Sequence, residues 1–179
     1  MAPIRVGSVV VHDVLRLGID LVATRAVRLA EEFGLRCIIT GAFDAERVID
    51  QLEEKNVTVA FGPVIMSRWM DEVKRLHPEN AVVLLDSGMR TAIIAGHPTN
   101  CPAKCLQISL GLLVGRGISP EQALGSVISV PDGILGLEGY REIRSGSVDD
   151  LALFKAQPCE PEGVTEHTFV SGNEVYTRS

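Results

Sequence analysis

The side chains best suited to chemistry in this sequence are scattered. Its histidines are His12, His77, His97 and His167, and its cysteines Cys37, Cys101, Cys105 and Cys159. His97 has the most suggestive setting, Gly96-His97-Pro98-Thr99-Asn100, a run of turn formers between an apolar β-branched segment and an apolar helical one. In parallel α/β folds, ligands and chemistry sit in the loops leaving the C-terminal ends of strands. His97 is therefore the one candidate for a catalytic role. His12 follows Val9-Val10-Val11, another strand-like run, and with His97 forms a candidate pair of metal ligands. Hydroxide generation on a metal normally rests on three protein ligands, so loop capping or backbone hydrogen bonding is the first reading of His97. Cys101 and Cys105 stand one helical turn apart, and without a second pair of thiols they read as packing before zinc. Cys37 lies in an apolar strand pattern and reads as a small core residue. His77 and His167, in loop-like surroundings, take no role.

Other groups near predicted strand exits are weaker. Gly41 and Gly96 open such exits, and Asn100 is placed to cap a helix beginning at Cys101. Backbone N–H groups at a helix N-terminus can meet a phosphate or carboxylate, so Gly41, Gly96, His97 and Asn100 are the ligand-binding candidates. Asp44 and Glu46 follow Gly41 but read as a helix cap and a solvated helix face. Arg68-Trp69 suits an anionic or planar ligand, yet Trp69 shares helical spacing with Met66, Met70 and Val73 and reads as core. No G-x-S-x-G elbow, Walker-type loop or G-x-G-x-x-G helix opening occurs.

The elements that must position these residues follow from periodicity. Pro3 to Val11 reads as a strand or strand pair ending at His12-Asp13. Val22, Ala26, Leu29, Ala30 and Phe33 form one helical stripe, closed by Gly34. Arg36 to Thr40 is the second buried strand, and Asp44 caps a helix facing inward through Ala45, Val48, Ile49 and Leu52. Lys55-Asn56 turns the chain into a third strand, Val57 to Phe61. After Met66 to Val73 and the break at His77-Pro78, Glu79 to Asp86 makes a short helix, and Thr91 to Ala95 is the fourth strand. Four strand-helix units in succession mean a parallel sheet with right-handed crossovers. A doubly wound sheet and a segment of an eight-stranded barrel both satisfy that pattern. The helix from Cys101 to Val114 is apolar on nearly every side, which predicts deep packing. Ser119 caps the next helix with Pro120 at its first position and Gln122 completing a capping box. Beyond Pro131 the helical signal fades. Tyr140 to Ile143, Leu151 to Phe154, Thr168 to Val170 and Glu174 to Tyr176 read as an antiparallel appendage after a hinge at Leu137 to Gly139.

Composition bounds the rest. With 179 residues, 46% of them apolar, the chain suits one domain or one domain with a small appendage. A net charge of −6 with no basic stripe argues against nucleic acid. No apolar run approaches the ~20 residues of a membrane span, and the N-terminus lacks a signal-peptide pattern, so the expected compartment is the cytoplasm.

Several stretches together resemble the amidohydrolase superfamily, specifically its imidazolonepropionase-like members. They are AVRLAEEFGLR, FGPVIMSR, ENAVVLLDSGMRTAIIAGHPT, SPEQALGSVISVPDGILGL, EIRSGSVDDLALF and VSGNEVY. The resemblance keeps the family's order and implies the second half of such an enzyme. The fold class is then α/β, four βα units matching strands five to eight of a TIM (β/α)8 barrel. Residues 1–137 form the half barrel and residues 138–179 the small β-domain segment. The family holds zinc or iron with histidines on the first, fifth and sixth strands and an aspartate on the eighth. The metal lowers the pKa of its bound water. Carried over, the sixth-strand position is Gly41 and the eighth-strand position is Gly96. The fifth-strand position is Gly7, Arg16 or Gly18, with His12 nearby. The implied cofactor is none, or zinc or iron if the site survives in altered form.

Three functions follow: a degenerate, non-catalytic relative, whether scaffold, small-molecule binder, fragment or engineered derivative; one part of a metal-dependent hydrolase of cyclic amides or amidines completed by a partner chain; or a binder of small anions. Bare strand edges predict a homo-oligomer, a dimer in the simplest case.

Overall fold

A computed structural model of the chain describes residues 8–12, 27, 28, 30–42, 44–65, 77–95, 103–137, 140 and 142–179. The chain packs as two compact units, Met1–Ala103 and Lys104–Ser179. The first contains a four-stranded sheet of β1 (Ser8–His12), β2 (Arg36–Gly41), β3 (Thr58–Phe61) and β4 (Thr91–Ile93). All neighbours are parallel and the order is β1-β2-β3-β4. A doubly wound sheet reverses its strand order at a switch point. No reversal occurs among these four strands, so the sheet has the sequential order of a barrel segment.

The strands form where β-branched residues cluster between turn formers. β3 is buried along its whole length, with Val59 and Phe61 at 0% exposure, as expected of a strand covered on both faces. Helices fill the crossovers: α1, described at residues 27, 28 and 30–33; α2 (Ile49–Glu54), preceded by a 3-10 turn at Ala45–Arg47; and α3 (Pro78–Asp86). Gly34 ends α1 at φ +62, its N–H donating to the Glu31 carbonyl and the Leu35 N–H to that of Ala30. Val27 and Ala30 are buried on α1, but Phe33, assigned to the inner stripe, is 64% exposed in the last turn. Asp44 precedes the 3-10 turn rather than α2 and makes no side-chain cap bond. α3 begins after His77, whose N–H donates to Asn80 Oδ1 at 3.1 Å. His77 thus has a structural place at a helix entry that its sequence setting did not reveal.

The second unit holds α4 (Leu106–Val114), α5 (Pro120–Gly125), α6 (Ser129–Leu135) and an antiparallel sheet of β5 (Leu151–Phe154), β6 (Thr165–Val170) and β7 (Asn173–Thr177). Ser119 Oγ accepts from the Gln122 N–H at 3.1 Å, and Pro120 occupies the first turn as expected. α4 starts after a 3-10 turn at Ala103–Cys105 and buries Ser109, Leu110 and Leu113. Deep packing on all sides is corrected: Ile108 is 63% exposed. The helical signal also does not end at Pro131. α6 runs through it, because proline in a first turn forfeits no intrahelical bond, and Gly136 stops the helix at φ +67. Tyr140 and Ile143 are not in a strand, and Ile143 is 87% exposed. Their alternation finds no neighbouring ladder among the described residues. Around β5 the sequence pattern is structural: Asp150 Oδ1 accepts from the Ser171 N–H at 2.7 Å and the Asp149 carbonyl from the Gly172 N–H at 3.1 Å. These bonds clasp the β6–β7 turn.

Candidate functional site

Parallel register brings four strand exits to one end of the first unit. His12 is level with Thr40, Gly41 with Phe61, and Phe61 with Ile93. The exits are sharp. Gly41 leaves β2 at φ +85, and the buried Ala42 follows at φ +52, a conformation uncommon for a residue bearing Cβ. β3 leaves through Gly62 at φ +153 and a cis Gly62–Pro63 peptide. A Cβ on Gly62 would lie 2.1 Å from the Ile94 carbonyl oxygen, so glycine is what lets the third and fourth exits touch. The Ile94 N–H donates to the Phe61 carbonyl at 2.9 Å, extending the β3–β4 ladder past the strand end.

The candidates are unequally placed. Gly41 is at the β2 exit as expected. His12 ends β1 in the backbone, while its side chain lies outside the described residues, as do Gly96, His97, Asn100, Cys101, Arg68, Trp69, Gly7, Arg16 and Gly18. Glu46 differs from its reading as a solvated residue. It is half-buried, and its Oε2 is inaccessible without a hydrogen-bond partner among the described residues. The short 3-10 turn, in place of a helix from Ala45, turns that carboxylate inward. Cys37 is a core thiol whose pKa burial raises. Cys105 is half-buried, and Cys159 is buried with a raised pKa, first from desolvation and then from Glu160 and Glu121. The raised pKa disfavours the Cys159 thiolate.

A divalent metal needs several convergent donors. Gly41 has no side chain, Ile94 and Ala95 beyond β4 are apolar, and Pro63 and Val64 beyond β3 are too. Among the described residues no group of three or more His, Cys, Asp or Glu is placed to hold a metal. The described side chains at these exits therefore supply no convergent donor set for a metal.

The second unit has a groove of about 890 Å³ lined in part by Ile108, Leu112, Cys159, Val164, Thr168 and Tyr176. Its floor is close-packed, since a Cβ on Gly111 would sit 2.8 Å from the Cys159 carbonyl oxygen. On the sheet, His167 Nδ1 lies 2.5 Å from Glu174 Oε1 and 3.0 Å from Thr177 Oγ1. Thr177 also donates to Glu174, and these contacts, Thr177's foremost, hold the Glu174 carboxyl below its ordinary pKa. His167 thus has a cross-strand role that its surroundings in the sequence did not announce.

Comparison with solved structures places this geometry. An amidohydrolase from Thermotoga maritima matches with a TM-score of 0.84 and 29% identity over 96% of this chain and 44% of its own. A D-aminoacylase structure matches with a TM-score of 0.66 and 15% identity over 94% of this chain and 53% of its own. A further D-aminoacylase structure, described with a binuclear metal centre, gives a TM-score of 0.67 at 15% identity. The fold is of the amidohydrolase type, and the chain spans about half the length of these neighbours. No protein-family model and no curated protein matches the chain. Among the described residues no helix is long and apolar enough to cross a membrane.

Proposed function

We propose that this chain is an imidazolonepropionase-like relative of the amidohydrolases that does not hydrolyse C–N bonds by itself. In this reading β1 to β4 are strands five to eight of the barrel, residues 1–137 are the half-barrel portion and residues 138–179 belong to the small β-domain. It works in the cytoplasm as a scaffold or small-molecule binder. One observation carries the proposal: β2, in the sixth-strand position, ends in Gly41 at φ +85, where a ligand side chain would be needed. A glycine cannot hold an ion through a side chain, and losing a ligand weakens a site that normally rests on three. His97 and His12, if they meet, make two. Elemental analysis of the purified chain for zinc and iron is the test, with far less than one equivalent expected. A stoichiometric ion surviving dialysis refutes it.

A second reading, a functional hydrolase of cyclic amides or amidines completed by a partner chain, is favoured by the unpaired outer sides of β1 and β4 among the described strands. It requires stoichiometric metal and turnover to appear on mixing the two chains. The anion-binding alternative at Gly41, Gly96, His97 and Asn100 requires phosphate or a carboxylate to raise the melting temperature.

A further inference from the structure

We infer that the groove of the second unit is a binding site for a small organic cation, an amine or amidinium carried on an aromatic or branched aliphatic body. None of its lining residues belongs to β1–β4 or their exits, so the inference goes beyond the reading of those exits and does not rest on it. A volume of about 890 Å³ falls within the range of small-molecule sites, about 300–1,000 Å³.

The walls set the body of the ligand. Ile108 and Leu112 stand one turn apart on α4, and Val164, just before β6, and Tyr176, on β7, line the groove with them. Ile108 is 63% exposed and Tyr176 47%, so large apolar side chains of the kind a core covers lie open together.

Glu160 sets the charge. It is the one charged side chain among the described lining residues, and no lysine, arginine or histidine joins it there. Burial first, and then the carboxylates of Glu160 and Glu121, raise the pKa of the Cys159 thiol, so a second negative group acts on the same stretch of lining. An anion would meet repulsion in this groove. A cation meets a carboxylate and an aromatic ring, both of which attract positive charge.

The carboxylate is carried on backbone that is fixed before a ligand arrives. The Glu160 N–H donates to the Gln157 carbonyl at 2.9 Å, and the Glu160 carbonyl accepts from the Gly163 N–H at 3.0 Å. The loop is in turn held to α4. Gln107 Nε2 donates to the Gly163 carbonyl, and the Cys159 carbonyl comes close enough to Gly111 that a Cβ there would lie 2.8 Å from its oxygen. Walls already in place cost little ordering on binding.

The probe is benzamidine, charged at neutral pH, with benzamide as its neutral isostere and benzoate as its anionic one. Titration followed by residue-resolved NMR should shift the amides of Ile108, Leu112, Glu160, Val164 and Tyr176 together, with a Kd on the order of 1–10 mM for so small a probe. Benzamide and benzoate should each bind about threefold or more weakly than benzamidine. Glu160→Gln should weaken benzamidine by about threefold with the melting temperature unchanged. Glu162→Gln, in the same loop but outside the lining, should weaken it far less. The inference is overturned if benzamidine moves none of these amides up to about 50 mM, if either analogue binds as tightly, or if the two variants act alike. It is also overturned if the same amides shift with protein concentration before any probe is added, since a second copy then occupies the groove. The analogue comparison needs no variant and decides by itself.

Discussion

Replacing Gly62 with alanine perturbs the place where two strand exits touch. The new methyl carbon would meet the Ile94 carbonyl oxygen at 2.1 Å and the Ile94 carbonyl carbon and Cγ1 at 2.9 Å each. Backbone cannot step aside as a flexible side-chain tip can, so the β3 or β4 exit must shift. At φ +153 an L-residue is also strained, by about 1–3 kcal/mol. Overpacking a tight site costs about 1–3 kcal/mol more. The expected loss is thus about 2–6 kcal/mol, and at about 2–4 °C per kcal/mol for a chain of this size the melting temperature falls by about 4 °C or more. Gly88→Ala is the internal control: φ is +83 but nothing lies within 4 Å of its Cβ, so only backbone strain remains. Urea unfolding of both variants is the assay. If Gly62→Ala loses no more than Gly88→Ala, the close approach to Ile94 contributes nothing and the argument for a glycine-dependent exit is wrong.

Thr91→Val should be neutral or stabilising by up to about 1 kcal/mol, because the buried hydroxyl lacks a hydrogen-bond partner among the described residues and valine keeps its shape. A clear drop in the urea midpoint would mean the hydroxyl is satisfied. Glu174 titrates below its ordinary value of 4.5, so its stabilising contribution is present above that value. It is lost as pH falls through the lower folded-state pKa. Protection of the β6–β7 amides, taken relative to their intrinsic exchange rates at each pH, should fall in acid, and Glu174→Gln should flatten that dependence. Equal acid sensitivity in both proteins would contradict the cross-strand contact.

Local pattern determined much of the parallel unit. The β-branched runs at Val9–Val11, Arg36–Thr40, Val57–Phe61 and Thr91–Ala95 mark the observed strands closely, because a doubly covered strand needs unbroken apolar residues. Gly34 and Ser119-Pro120 mark helix ends, because a left-handed stop and a side-chain acceptor are properties of one or two residues. Pattern misled where the partner surface decides the outcome. Ile108 and Phe33 are apolar but exposed, and alternation at Tyr140 to Ile143 builds no strand. Of the candidate site residues, Gly41 has a described position, at the β2 exit where strand pattern put it, while the inward Glu46 carboxylate and the Glu174–His167–Thr177 contacts required the fold. Periodicity admits both a doubly wound sheet and a barrel segment, since each repeats strand and helix alike. Only tertiary structure decided between them, because strand order depends on which edge each returning strand joins, and that is settled by contacts far apart in sequence.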